Sequence, residues 1–326
     1  MKLYSIIIPV YNRPQEIDEL LLSLTNQTYI HFEVIIVEDG STQTCEHIVE
    51  KYQHLLKIYY YKTPNQGPGK ARNYGAQFAK GEYIIILDSD CILPSAYMEQ
   101  IHDALKHYDV DAFGGPDRAH HSFSTLQKAI NYSMTSFLTT GGIRGGRKKL
   151  DDFYPRSFNM GIRREVYIKL EGFSSMRYGE DIDFSRRIKE AGYKTRLFPM
   201  AYVFHKRRTS LCSFFKQVSH SGEARVVLTK KYPSSLKAVH LLPAAFTLYL
   251  LVTILLSPFC PLLLLPIAFY ALLLFLDAFM RNNRSFKIAA LAVITSFVQL
   301  TGYGSGMIKK WIYRDSREIG LKLITN

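Results

Sequence analysis

Glu82-Tyr83-Ile84-Ile85-Ile86-Leu87-Asp88-Ser89-Asp90 is an apolar run that stops at two carboxylates. A run without polar alternation suits a strand covered on both faces. Tyr4–Val10 has the same character, and Phe32–Val37 and Lys57–Tyr61 are read as two further strands. Between the first two, Ile17, Leu20, Leu21 and Leu24 recur at helical spacing within Pro14–Asn26. Further helices are predicted near Cys45–Tyr52, Pro68–Lys80 and Ala96–His107, the one at Pro68–Lys80 opened by a Gly-Pro-Gly turn. Strands alternating with helices predict an α/β fold with a mostly parallel sheet and helices on both faces. Ligands of such sheets bind beyond the carboxyl ends of the strands.

Those ends carry polar residues. The first strand runs into Pro9-Val10-Tyr11-Asn12-Arg13, the second into Glu38-Asp39-Gly40-Ser41, and the fourth into Asp88-Ser89-Asp90. Two carboxylates two residues apart repel unless a cation lies between them, so a hard divalent ion suits the pair. The competing reading is a helix cap at Asp90 with Asp88 in solvent. Gly69-Lys70 is followed by Ala71 and lacks the upstream glycine of a phosphate loop. No G-x-G-x-x-G opens the first helix, which disfavours a dinucleotide enzyme.

The 326 residues contain 41 Lys/Arg against 28 Asp/Glu, a net charge of +13. Residues 1–205 account for only +1 of it, 206–237 for +7 and 238–326 for +5. The basic excess sits beside apolar stretches at Val239–Leu256, Leu262–Leu276 and Ile288–Ile308. Eighteen helical residues reach about 27 Å, close to a hydrocarbon core. The charge is thus a membrane address, and nucleic-acid binding is disfavoured because the front region has no broad basic face. Four scattered cysteines without a C-x-x-C pair argue against a zinc site or disulfide framework and fit a reducing compartment. The N-terminus has no signal-peptide pattern, so the front region is expected in the cytoplasm. The positive-inside rule agrees for two spans, but a third would place Lys309, Lys310 and Arg314 outside; the span count stays open.

The ordered set Ile6-Ile7-Ile8-Pro9-Val10-Tyr11-Asn12, Val37-Glu38-Asp39-Gly40-Ser41-Thr42, Asn65-Gln66-Gly67 with Ala71-Arg72-Asn73, Asp88-Ser89-Asp90, Asn159-Met160-Gly161, Gly179-Glu180-Asp181-Ile182-Asp183 and Val203-Phe204-His205 resembles glycosyltransferase family 2, with a GT-A fold and a C-terminal membrane region of bacterial type. The resemblance covers about 200 positions. It implies a GT-A catalytic domain over 1–205, a basic amphipathic segment over 206–237, two or three apolar helices over 238–310 and a basic tail over 311–326. It implies nucleotide contacts from Pro9, Tyr11, Asp39, Arg72 and Asp88, and a Mn2+ or Mg2+ held by Asp88, Asp90 and His205. His205 could instead be a surface histidine. Asp181 resembles the catalytic base, with Glu180 as catalytic partner or acceptor ligand. Asp183 is read as helix support. Asn159 and the loop cations Arg144, Arg147, Lys148 and Lys149 are expected on the acceptor or diphosphate side; a solvated basic loop is the alternative for the cations.

The implied activity is inverting sugar transfer from a nucleotide-sugar donor to a membrane-borne, lipid-linked or glycan acceptor at the inner (plasma) membrane. The Gln-x-x-Arg-Trp motif of processive relatives is absent, since the single tryptophan is Trp311. Single addition therefore fits better than polymer extrusion. A nucleotidyltransferase on a similar sheet and a non-catalytic scaffold are the alternatives. The first lacks its glycine-rich loop, and the second would not need the carboxylates Asp88, Asp90, Glu180 and Asp181.

Overall fold

The computed structural model describes residues 2–120, 122–141 and 153–322, with side chains as far as Tyr313. In chain order the elements are β1 (Tyr4–Val10), α1 (Pro14–Thr25), β2 (Phe32–Asp39), α2 (Glu46–Tyr52), β3 (Ile58–Thr63), α3 (Pro68–Ala76), β4 (Tyr83–Leu87), β5 (Cys91–Ile92) and α4 (Tyr97–His107). Then come β6 (Ala112–Gly114), β7 (Asp117–Arg118), α5 (Thr125–Thr135), α6 (Phe137–Thr140), β8 (Asn159–Arg163), α7 (Arg164–Lys169), α8 (Glu180–Glu190), β9 (Thr195–Leu197) and β10 (Val203–His205). Helices α9 (Leu211–Lys231), α10 (Leu242–Leu256), α11 (Leu265–Arg281) and α12 (Phe286–Lys322) complete the chain. They form two compact units, one holding the strands with α1–α4, α7 and α8, the other holding α5, α6 and α9–α12.

In the first unit a seven-stranded sheet runs β3-β2-β1-β4-β8-β6-β9. The β3, β2, β1 and β4 neighbours are parallel, and β8 is antiparallel to both β4 and β6. The runs of β1, β2 and β4 are buried on both faces, as their lack of alternation predicts, whereas β3, at the edge of the sheet, is only partly buried. Ile6, Ile8 and Ile85 join one core layer, while Ile7, Ile84 and Ile86 join the other. The pleat sends successive side chains to opposite layers, so each strand serves two cores. The fold is GT-A, an α/β architecture followed by C-terminal helices. A second sheet, β5-β10-β7, sits at the carboxyl end of β4 and pairs Cys91 with His205.

In the second unit α5 begins with a capping box between Ser124 and Gln127. Its Ala129 and Tyr132 share a core with Leu274, Ala278, Ala289 and Ala292, and Ile130 packs with Phe214 and Val218. This departs from a division of the chain at residue 205. The reason is that the apolar face of α5 is completed by helices that follow much later. Helix α9 is continuous over 21 residues and is capped by Ser210. Helix α10 has 15 residues, whereas Pro261–Arg281 and Phe286–Tyr313 are long and apolar enough to cross a membrane by length and composition.

Candidate active site

The carboxyl ends of β1, β2 and β4 lie side by side because these strands are parallel and in register, Val10 opposite Glu38 and Ile7 opposite Ile86. Tyr11 is 51% exposed at this edge. Asn12 takes a positive φ of 52°. Its side-chain oxygen accepts from the Thr42 and Gln43 amides at 2.8 and 2.9 Å, tying the β2 exit loop to the β1 exit. Pro9 is partly exposed beneath it. Asp39 is buried, and its two oxygens accept the Gln66 and Gly67 amides at 2.8 and 2.9 Å. Its observed work is to hold the turn that opens α3, where Gly67 has a φ of 90° ahead of Pro68. The base contact expected of Asp39 would have to be made beside those two bonds.

Arg72 occupies the centre. Its guanidinium is buried, donating to Asp88 Oδ1 at 2.8 Å and to Glu180 Oε1 at 3.0 Å. The Phe173 ring lies 5.1 Å from it. Arg72 therefore joins the exit of β4 to the start of α8. Gly179, with φ 80°, makes the left-handed turn that launches α8, putting Glu180 and Asp181 in its first turn. The positive end of a helix favours carboxylates there.

The two carboxylates of that pair differ. Burial raises the Glu180 carboxyl above the ordinary glutamate range, a push that Arg72 only partly offsets and Asp181 reinforces. Asp181 is also penalised by burial, but the Arg156 guanidinium, 2.6 Å from Oδ2, outweighs this and holds it below the ordinary range. The Ile182 amide donates to its other oxygen at 2.9 Å. Neighbouring carboxyls pushed in opposite directions are suited to different roles, and Asp181 is the one kept ionised. Asp183 is fully buried against Arg187 and supports the helix, as expected. If transfer requires ionised Asp181, Arg156→Gln removes the cation that keeps its pKa low. The acidic limb of the kcat/KM profile should then move to higher pH; an unmoved limb would show that Asp181 titration does not control the rate.

On the other side of Arg72, Asp90 is ion-paired to Arg13 and lies 3.0 Å from His205 Nε2. Asp88 Oδ2 is 3.9 Å from the same nitrogen. The β5–β10 pairing delivers His205 here, and the Phe158 ring stacks on it at 5.1 Å. Among the described residues, Asp90, Cys91 and His205 are the group whose ligand atoms lie close enough together to hold a metal ion; Asp88 gives one oxygen to Arg72. Burial, reinforced by the Asp90 and Asp88 charges, keeps the Cys91 thiol protonated. Asp90 Oδ1 is buried without an aligned hydrogen bond, and so is His205 Nδ1. A buried carboxylate oxygen facing an imidazole nitrogen at 3.0 Å is a donor set that fits a Mn2+ or Mg2+ ion.

Asn159, expected on the acceptor side, has its side chain engaged within the protein. It is buried, accepting from the Tyr97 hydroxyl at 2.7 Å and donating to the Ala201 carbonyl at 2.8 Å. It therefore braces β8 against the loop before β10. Arg144, Arg147, Lys148 and Lys149 lie outside the described residues. Sequence reading missed the parts played by Arg13 and Arg156. Arg13 stood inside the quoted β1 exit, whereas no local pattern marks Arg156, whose partner is 25 positions away.

The family model for glycosyl transferase family 2 matches residues 5–171, which includes every strand from β1 to β8. An uncharacterized glycosyltransferase of Haemophilus influenzae is 29% identical over 214 residues, covering 64% of this chain and 70% of that protein. The poly(ribitol-phosphate) beta-N-acetylglucosaminyltransferase TarS of Staphylococcus aureus is 43% identical over 94 residues, 28% of this chain but only 16% of its own length. The mannosyltransferase PcManGT of Pyrobaculum calidifontis, solved with GDP-Man and Mn2+, has the same fold, with a TM-score of 0.55 at 19% identity over 90% of this chain and 86% of that one. With a matching family model over half its length, the chain belongs to glycosyltransferase family 2 and is a glycosyl-transferring enzyme.

Proposed function

We propose that the enzyme moves a sugar, with inversion, from a nucleoside-diphosphate donor to a membrane-associated acceptor, a polyprenyl-linked glycan in cell-surface polysaccharide or glycolipid synthesis. The observation that carries this reading is the Asp88–Arg72–Glu180 link, in which one guanidinium joins a donor-end carboxylate to the helix start that also carries Asp181. Exposed Tyr11 offers an aromatic face to a base. Asp181 takes the proton of the acceptor hydroxyl. The acceptor oxygen bonds to the anomeric carbon from the side opposite the diphosphate, whose C–O electron pair leaves with the nucleoside diphosphate. Arg156 holds Asp181 in place, and Glu180 positions Arg72. Asp90 and His205 would hold a divalent cation, which when bound supplies positive charge to the leaving diphosphate. PcManGT, which carries Mn2+ with a nucleotide sugar, supports this choice of ion. The apolar C-terminal helices and the basic belt before them support a location at the plasma membrane with the catalytic unit in the cytoplasm.

The test is nucleoside-diphosphate release by detergent-purified protein across a panel of nucleotide sugars, with Mn2+ and a polyprenyl-diphosphate-linked acceptor. One donor should give release that depends on the acceptor. Chelation should abolish it, Mn2+ should restore it, and Asp90→Ala should lower it by roughly a hundredfold or more. Full activity in chelator would remove the metal from the mechanism. Release from no donor would return the scaffold alternative.

A further inference from the structure

The apolar surface of the helical unit is distributed unevenly. Around the α10–α11 turn Leu255 is 71% exposed, Phe259 87% and Leu262 71%. Along α11, Leu265, Phe269, Leu272, Leu276 and Met280 form one exposed stripe at helical spacing. Helix α12 is as long as a span, yet between Lys287 and Lys310 its only exposed large apolar side chain is Ile294. The opposite face of α11 is tied to α5 and α6, where the Tyr132 hydroxyl of α5 donates to Asp277 at 2.7 Å and the Tyr270 hydroxyl donates to the Leu138 carbonyl of α6 at 3.0 Å. Helix α5 in turn brings Asn131, which accepts from buried Arg207. The C-terminal half of α12 lies flush on α9, so close that a Cβ on Gly222 would sit 2.1 Å from the Tyr303 carbonyl and one on Gly306 2.1 Å from the Ser219 carbonyl. That stretch of α9 carries Lys216, Glu223 and Arg225.

If α11 or α12 crossed a bilayer, these polar helices would enter the hydrocarbon with it, at a cost of several kcal/mol per unsatisfied group. We infer that no helix crosses: the α10–α11 hairpin dips into one leaflet of an anionic bilayer and returns, while α12 stays at the interface as the helix on which α5, α9, α10 and α11 pack. The length of α10 agrees, since its 15 residues reach about 22 Å, short of a full crossing. Charge agrees as well. The segment before the hairpin has eight cations and one acid over 206–237, and Arg281, Arg284 and Lys287 follow it, so basic residues flank both ends. The tail lysines Lys309 and Lys310 then lie on the same side as α9, which removes the conflict that a third span creates. This deepens the membrane location proposed above and rests on it.

The native cysteines make the test direct, because Cys212 is exposed on α9, Cys260 is exposed at the hairpin turn, and Cys45 and Cys91 are buried. Full-length protein is probed in right-side-out and inverted membrane vesicles with a membrane-impermeant maleimide. Cys212, Lys287→Cys and Lys310→Cys should all label in one and the same orientation. Cys260 should label in neither until detergent is added. Labelling of Cys260, Lys287→Cys or Lys310→Cys from the side opposite Cys212 means a crossing helix and overturns the inference while leaving the membrane location intact. Recovery of the protein in the soluble fraction overturns both, whether Cys260 is freely reactive or is shielded in a stable dimer by a second copy. As a second measurement, Leu255→Asp with Phe259→Asp should leave the thermal melt unchanged, since both side chains are exposed, and weaken flotation on 3:1 phosphatidylethanolamine/phosphatidylglycerol vesicles about tenfold or more. Unchanged flotation would also overturn it.

Discussion

Asp181→Asn is expected to lower kcat by roughly 10²- to 10⁴-fold, the range for loss of a positioned general base. The substitution is nearly isosteric. Its single side-chain oxygen can still accept from one of the two groups that hold the native carboxylate, Arg156 on Oδ2 or the Ile182 amide on Oδ1. What it cannot do is take a proton. Donor affinity, measured by calorimetric titration of the nucleotide sugar, should stay within about twofold, because Asp181 lies on the Glu180 side of Arg72 and the donor-end carboxylate Asp88 on the other. Parallel losses of turnover and donor binding would mean that Asp181 is an architectural residue. Glu180→Gln provides the contrast. Burial already biases Glu180 toward its neutral form, so this change should cost far less turnover than Asp181→Asn.

Arg72→Ala is expected to destabilise the catalytic unit by about 3 kcal/mol, because removing one member of a buried ion pair strands the other. The Glu180 side chain is 10% exposed and loses its guanidinium partner; Asp88, at 30%, is partly hydrated and contributes less. Urea denaturation followed by near-ultraviolet circular dichroism measures the loss. Arg72→Met combined with Glu180→Gln should recover much of that stability, since neither partner is then charged, yet transfer should remain abolished because nothing ties α8 to the β4 exit. A double variant as unstable as Arg72→Ala would show that packing against Phe173, and not charge, is what Arg72 supplies.

Much of the fold was legible because its signals are local. Uninterrupted apolar strands such as Tyr83–Leu87 announce two-sided burial, and the helices between them carry their apolar faces at regular spacing. The carboxylates were legible for the same reason, because Asp88 and Asp90 follow a strand directly and Glu180 and Asp181 follow a glycine that starts a helix. Less legible were residues whose type allows several tasks. Asp39 and Asn159 stood in motif positions that suggested ligands, and both were found holding backbone, one through the Gln66 and Gly67 amides and the other through the Ala201 carbonyl. Helix α5 was not visible as part of the helical unit, since its partners Leu274 and Ala289 come more than a hundred residues later.

The sequence by itself determined that this is an α/β glycosyltransferase of family 2, where its acidic groups sit along the chain, and that its positive charge gathers beside apolar helices. Only the tertiary structure decided which charges meet. Arg13 reaches Asp90 across 77 positions, Arg72 reaches Glu180 across 108, and Arg156 reaches Asp181 across 25. It also decided that the face of α12 is spent on other helices while that of α11 is left bare. The physical reason is common to both. Strand and helix periodicities are written in neighbouring residues, whereas the partner of a buried charge, or the cover of an apolar face, depends on which distant segments the packed core brings within a few ångströms.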